Sequence, residues 1–175
     1  SVSTRSAGFT TVDITSMNEA TDLFLSFLMF VGSSPSSVGG GIRTTTFAIA
    51  ILFLLNFANG RTEIQIFGRE IYMDDVYRSF VVIFLAFFMV MISTMILLVS
   101  EPHATVTEVI FEITSAFGTC GMTLGITENL STLGKFVMIL LMFIGRVGLI
   151  SFLYTLGGKD NKPKYRYPKE RISIG

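Results

Sequence analysis

The sequence predicts an all-α membrane protein made of repeated helix–loop–helix units, with one of its helices broken. Three observations lead there. Residues Ser79–Val99 run for 21 positions without a charge, the length and polarity of a membrane-crossing helix. Half of all residues are hydrophobic and mean hydropathy is +0.64, too apolar for an ordinary soluble domain. Finally, Leu28-Met29-Phe30-Val31-Gly32 returns 113 residues later as Leu141-Met142-Phe143-Ile144-Gly145, and the same shift carries Ser6-Ala7-Gly8-Phe9-Thr10 onto Thr119-Cys120-Gly121-Met122-Thr123. Two matches at one offset mark a duplicated unit: a short loop with a glycine, then an apolar helix with a second glycine 24 residues on.

In chain order, residues 1–58 hold the loop and the second helix of one unit, whose first helix is absent. That second helix is apolar at both ends, from Leu23 to Phe57, but polar and glycine-rich from Gly32 to Thr46. Pro35 cannot donate a backbone hydrogen bond, and Gly39-Gly40-Gly41 disfavours a helix, so the helix breaks there. Residues 59–78 form a linker carrying Arg61, Arg69 and Arg78. Residues 79–156 make a complete unit: the Ser79–Val99 helix, a short helix over Val106–Phe117, the loop Gly118–Thr123, and a second span over Leu133–Leu156 interrupted by Lys135 and Arg146. Residues 157–175 are a tail with Lys159, Lys162, Lys164, Arg166, Lys169 and Arg171 against Asp160 and Glu170. The positive-inside rule puts the tail and the linker in the cytoplasm and both glycine loops outside, so the two copies share one orientation in a multi-pass protein. By the same shift, the counterparts of the Ser79–Val99 helix and of most of the short helix lie upstream of Ser1. The chain is therefore expected to be the C-terminal part of a longer protein, or one piece of a complex.

The Val106–Phe117 helix is too short to span and runs into an extended loop, the pattern of a re-entrant segment. Non-helical backbone is tolerated inside a membrane only where protein buries it or water lines it. The negative end of the helix dipole would face the loop and favour a cation there. A dehydrated potassium ion needs a cage of oxygens, which backbone carbonyls supply when several point at one axis, and glycine reaches the required angles cheaply. Gly8 and Gly121 are the candidates, with the small neighbours Ser6, Ala7, Thr119 and Cys120 allowing close approach and Phe9 and Met122 packing outward. The plainer reading of either loop alone is an ordinary surface turn.

The broken segment, with Gly32, Ser33, Ser34, Pro35, Gly39, Gly40, Gly41, Arg43 and Thr44, must face water or protein and would lie across the path just below the first loop, where the resemblance given below makes it a gate. A phosphate cradle is disfavoured by the missing Gly-Lys-[Ser/Thr] ending and preceding strand; a passive hinge is the other alternative. Arg146 lies in mid-span, where a charge faces a cavity or a partner. It is read either as a positive charge below the loops that limits cation flow or as a buried residue holding helices together. Glu112 is expected to anchor its short helix. Asp13, Glu19, Asp22, Glu101, Glu108 and Glu128 would make the outer mouth negative, or be plain solvated charges. The single cysteine, Cys120, excludes an intrachain disulfide. No paired catalytic carboxylates, metal-ligand cluster or nucleophile–base set appears in the sequence, so neither an enzyme, nor a cofactor in this chain, nor a nucleic-acid partner is expected.

The stretch Ser3-Thr4-Arg5-Ser6-Ala7-Gly8-Phe9-Thr10-Thr11 resembles a pore loop of the potassium transporter superfamily that includes Trk, Ktr and plant HKT proteins, and is most similar to the membrane subunit of Ktr systems. The resemblance covers essentially the whole chain, as the third repeat from its pore loop onward and the complete fourth. It implies a potassium-channel-like fold of four helix–pore loop–helix repeats, K⁺ held by filter carbonyls around Gly8 and Gly121, an intramembrane gating loop at Gly32–Thr46, and a pore arginine at Arg146. It further implies a homodimer in the plasma membrane, seated on a cytosolic nucleotide-binding ring, with the tail or linker meeting that ring or anionic lipid. These loops lack the second glycine of a Thr-Val-Gly-Tyr-Gly filter, which suggests fewer well-formed ion sites. The alternative function is a non-conducting membrane scaffold.

Overall fold

The computed structural model of the chain describes residues 8, 17–35, 37, 39–59, 65–66 and 69–149. Five α-helices carry it: α1 (Glu19–Phe30), α2 (Thr44–Ala58), α3 (Met73–Ser100), α4 (Val106–Gly118) and α5 (Thr132–Val147). Among the described residues one 3-10 turn covers Ile126–Asn129, and two two-residue strands, β1 (Gln65–Ile66) and β2 (Arg69–Glu70), pair antiparallel between α2 and α3. The architecture is all-α apart from that pairing, as the sequence predicts. The tail 157–175 and the end of the expected second span lie outside the described residues.

At 28 residues, α3 is the one helix among the described residues long and apolar enough to cross a membrane. It begins ahead of the uncharged run because Asp74 and Asp75 occupy its first turn, where the helix dipole favours negative charge. Its outward face exposes Phe84, Phe87, Phe88, Met91 and Met95, a surface suited to lipid rather than water. Its inward face contributes Val82, Ala86 and Leu97 to the main core.

The short helix α4 is the centre of the fold. It starts at a reciprocal capping box: the Glu108 amide donates to Thr105 Oγ1 at 3.4 Å, and the Thr105 amide donates to Glu108 Oε2 at 2.8 Å. From Phe111 to Gly118 every residue of α4 is buried. The buried polar side chains Glu112, Thr114 and Ser115 are each hydrogen-bonded within the protein, as burial requires. Leu25 and Met29 of α1 meet Phe111 and Met122 on one side. On the other, Val109, Ile113, Ala116 and Phe117 share a core with Met138, Leu141 and Ile144 of α5 and with α3.

Two helix ends differ from expectation. The break after α1 spans Val31 to Arg43, and α2 resumes at Thr44, so Thr44–Thr46 form a first helical turn instead of the end of the loop. The second span, expected over Leu133–Leu156 with interruptions at Lys135 and Arg146, is helical over Thr132–Val147 and is interrupted instead at Gly148, whose φ of +87° lies outside helical geometry; Leu149 is helical again, and residues 150–156 lie outside the described residues. Nothing in the apolar pattern signals that interruption; the glycine does.

Gly145 shows why the helices approach as they do. A Cβ there would lie 2.1 Å from the Phe117 carbonyl oxygen, so α5 crosses the last turn of α4 at backbone contact. Gly145→Ala is expected to force α4 and α5 apart and destabilise the protein by about 1–3 kcal/mol, the usual range for overpacking. Thermal unfolding in detergent checks this, with Phe136→Ala on the exposed face of α5 expected to leave the midpoint nearly unchanged.

Candidate functional site

The candidate site forms where α4 ends. A helix that terminates inside protein leaves carbonyls without partners, and each must be satisfied locally. Thr119 adopts the left-handed conformation, φ 51° and ψ 36°, and turns the chain back on the helix. The Thr119 amide donates to the Ala116 carbonyl at 3.1 Å and the Cys120 amide to the Ser115 carbonyl at 2.9 Å, a Schellman closure. A non-glycine residue there costs about 1–2 kcal/mol. Its side chain is used in return, because Thr119 Oγ1 accepts from the Gly40 amide at 2.8 Å. The same Gly40 amide donates to the Gly118 carbonyl at 3.1 Å.

From Cys120 the chain runs extended. Gly121 has φ +81°, and Gly8, its counterpart by the 113-residue shift, has φ +71°. Both glycines therefore sit at positive φ, where glycine is accommodated without strain. The structure also brings them into one neighbourhood: a Cβ on Gly8 would lie 2.3 Å from the Cys120 carbonyl oxygen. Cys120 and Met122 are buried and Gly121 is exposed. Ser6, Ala7 and Phe9 lie outside the described residues.

The loop is braced from behind. Ser115 Oγ donates to the Met122 carbonyl at 2.6 Å, which turns that carbonyl into the protein and away from any open axis. Glu112, 3 % exposed, accepts from Thr123 Oγ1, from the Leu124 amide at 3.1 Å and from Thr127 Oγ1 at 3.0 Å. The anchoring expected of Glu112 is thus made to the segment that follows its own loop. Farther along, the Ser131 amide donates to Glu101 at 2.6 Å and Ser100 Oγ lies 2.6 Å from Ser131 Oγ, tying the end of α3 to the start of α5. Those Ser131 hydrogen bonds hold the Glu101 carboxyl below the usual carboxylate range. Of the acids expected at an outer mouth, Glu19 and Glu128 are exposed, Glu101 and Glu108 bind backbone, and Asp22 is buried in α1. Asp13 lies outside the described residues.

The broken-helix loop folds directly against this junction. Ser33 Oγ donates to the Gly39 carbonyl at 2.9 Å, the Ile42 amide to Phe30 at 3.3 Å, and the Thr44 amide to Ser33 at 3.3 Å. Arg43, at the N-cap of α2, reaches across to the Pro35 carbonyl at 3.0 Å. Gly41 takes φ +82°, and Gly32 packs so closely that a Cβ there would lie 2.0 Å from the Gly40 carbonyl oxygen. A Cβ on Gly40 would lie 2.9 Å from both the Gly145 carbonyl and Thr119. The loop therefore meets the root of the second glycine loop. Ser34 is exposed within it. Arg146 is exposed in the last turn of α5, beside the break at Gly148. A cavity of about 270 Å³ runs between the two breaks, lined by Gly41, Arg43, Thr46, Val147 and Gly148.

Sequence reasoning missed Ser115, the Thr119 side chain and Gly118. A Cβ on Gly118 would lie 2.7 Å from the Met29 carbonyl oxygen, so this glycine admits α1. Its signal was a glycine ending an apolar helix; that of Ser115 was one hydroxyl among buried apolar neighbours.

The chain is 49% identical over 175 residues to Ktr system potassium uptake protein D of Bacillus subtilis, covering all of this chain and 39% of that protein. It is 37% identical over 180 residues to potassium/sodium uptake protein NtpJ of Enterococcus hirae, covering 100% of this chain and 40% of that one. It is 34% identical over 175 residues to Ktr system potassium uptake protein B of Vibrio alginolyticus, covering 100% and 38%. The chain thus spans about two fifths of the length of the curated relatives it matches. Residues 1–160 match the TrkH family, described as cation transport protein, and the chain belongs to that family of membrane transporters.

Proposed function

We propose that this chain is part of the ion-translocating subunit of a potassium uptake system. Potassium passes a filter of backbone carbonyls from single-glycine loops, and the Gly/Ser/Thr loop between α1 and α2 gates the path below. The family is one of transporters, not enzymes, and the relatives are named for potassium or sodium uptake. The observation that carries the filter reading is the pair Gly8 and Gly121: both left-handed, and Gly8 against the Cys120 carbonyl. Carbonyls aimed at one axis replace the hydration shell of the ion, and the C-terminal end of α4 adds the negative pole of its dipole at the same place.

The gate reading is supported by the contact of Gly40 with Gly118 and Thr119. Those bonds fasten the loop to the filter root. Moving the loop aside would free both, so the closed arrangement has a defined latch. Arg146 adds a positive charge at the end of α5, where the dipole favours it. In this reading the full subunit completes its pore with further repeats, pairs as a homodimer in the plasma membrane, and keeps its C-terminus in the cytoplasm. The naming of the relatives as parts of a Ktr system supports a separate regulatory component, proposed as a cytosolic nucleotide-binding ring.

Three measurements test this. Gly8→Ser and Gly121→Ser each place a side chain at positive φ, at about 1–2 kcal/mol. Potassium uptake by potassium-starved cells should fall about tenfold, as a comparable change in barrier gives. Undiminished uptake with normal protein levels would point to a non-conducting scaffold instead. Deleting Gly39–Gly41 should raise ion flux through the full-length protein in liposomes; flux unchanged or lost would remove the gate assignment. Arg146→Ala should change conductance or potassium affinity while the protein still assembles, and loss of assembly would make the arginine a structural brace.

A further inference from the structure

The segment that follows the second glycine loop is held by two carboxylates. Glu112 holds its beginning, through Thr123, Leu124 and Thr127. Glu101 holds its end: the Ser131 amide donates to Glu101 Oε1 at 2.6 Å, and Ser131 is the N-cap from which α5 starts. Ser131 Oγ accepts from the Gly134 amide at 3.1 Å and lies 2.6 Å from Ser100 Oγ. Glu101 in turn caps α3, its own amide donating to the Leu97 carbonyl at 2.8 Å. One carboxylate therefore joins the end of one span to the start of the next. The two acids differ in access to water. Glu112 is buried, whereas Glu101 is half-buried and lines an open cavity of about 440 Å³ with His103, Glu108, Gly125 and Asn129. The placement of α5 depends on this tie. At its other end α5 is fixed by Gly145, in backbone contact with Phe117. Between the two fixed points Met138 and Leu141 share the core with α4. Leu130 and Met138 stand beside Gly121 and Met122. Freeing Ser131 lets α5 tilt about Gly145, and the packing behind Gly121 and Met122 moves with it.

We infer that Glu101 is a positioning residue for the second glycine loop, and that its protonation from the outer solution loosens that loop. This rests on the reading of the chain as part of a potassium pore and adds an acid-sensitive control to it. The ionised carboxylate is the form that fits the contact, because a charged acceptor binds an amide about twice as strongly as a neutral one. The Ser131 hydrogen bonds, with smaller contributions from the charges of His103 and Lys135, hold the Glu101 carboxyl below the usual carboxylate range against the opposing effect of partial burial. A carboxyl depressed in this way stabilises the folded arrangement above its unfolded value of 4.5, and that contribution is lost as pH falls through the lower folded value. The tie is therefore complete at neutral pH and released only in acid below 4.5. The charged groups that face Glu101 are His103 on its own turn, Lys135 of α5 and Glu108 of α4. Glu108 is committed to the cap of α4, and Glu101 is the acid bonded to the start of α5.

The full-length protein in liposomes tests the inference, with K⁺ and Rb⁺ uptake measured as the outer solution is stepped from about pH 7 to about pH 3.5. In the wild type, acid should reversibly raise KM for K⁺ and shift the K⁺/Rb⁺ ratio. Glu101→Ala should show both changes already at neutral pH, with KM raised about tenfold, as loss of a hydrogen bond to a charged group gives. A merely structural role would lower the amount of protein and leave KM and the ion ratio alone. Glu101→Gln keeps an acceptor for the Ser131 amide but does not titrate, so it should lie nearer the wild type at neutral pH and lose the acid limb. A wild type without an acid limb, an unchanged limb in Glu101→Gln, or a Glu101→Ala protein with wild-type KM and ion ratio overturns the inference. If Glu101→Ala does not accumulate, the wild type against Glu101→Gln decides. Spin labels at the exposed positions 99 and 133 read the tie without transport. Their separation should broaden in acid for the wild type and not for Glu101→Gln. Broadening in a protein that moves no ion counts against the transport reading alone, and a transporting protein whose separation ignores acid counts against the Glu101 tie alone.

Discussion

The end of α4 governs the rest of the structure. A helix that stops inside protein must give its last carbonyls a partner, and an unpaired buried one costs about 1–3 kcal/mol. Here the partners are the turn at Thr119 and the amide of Gly40, contributed by a segment nearly eighty positions earlier in the chain. Leaving that amide's acceptors bare is as unfavourable as leaving the amide bare. The loop between α1 and α2 is thus held by what it would expose on leaving. If it leaves, water or a permeating cation must take over the Gly118 carbonyl and the Thr119 hydroxyl. Under the proposed function, displacement of the loop and wetting of the space beneath the proposed filter become one event.

The same constraint explains why two glycines at one sequence distance from their loops have different uses. Gly32 and Gly145 are both points where a Cβ cannot fit, but the first meets the Gly40 carbonyl and the second the Phe117 carbonyl. The shared scaffold requires a small residue at that depth. What approaches it is free to differ, and does: a folded loop in one copy, the pore helix of the same unit in the other. Both chains then leave helical geometry within a few residues, through Val31–Arg43 and at Gly148.

Much of this was legible in the sequence. The uncharged run marks α3, the short stretch Val106–Phe117 marks α4, and the paired glycines mark unusual backbone angles at positions 8 and 121. Glycine and proline report what the backbone must do at their own position, so breaks and turns could be placed. They do not report the partner. That Gly40 bonds to Gly118, that Gly118 admits Met29, and that Ser115 turns the Met122 carbonyl inward are contacts between distant segments, and no local pattern encodes them. Thr119 in the left-handed region was silent for a different reason. Its conformational cost is met by a side-chain bond to the other segment, so the residue type looks ordinary. The second span is interrupted at Gly148, whose positive φ is a property of the glycine and not of the apolar pattern around it.

The two arginines at this level illustrate how placement sets role. Arg43 is held: its guanidinium donates to Pro35 within its own loop, so it moves when the loop moves. Arg146 is fixed to the last turn of α5, where the exposed carbonyls supply a favourable negative potential. A charge tied to a rigid helix end is a constant in the field along the axis, whereas one tied to a loop is a variable. At roughly 8 Å and an effective dielectric of about 20, a unit charge raises the energy of a cation by about 2 kcal/mol. That is large enough to set the rate of passage and too small to block it. Control by a fixed barrier and a movable latch at one depth is the arrangement that this division of the two arginines favours.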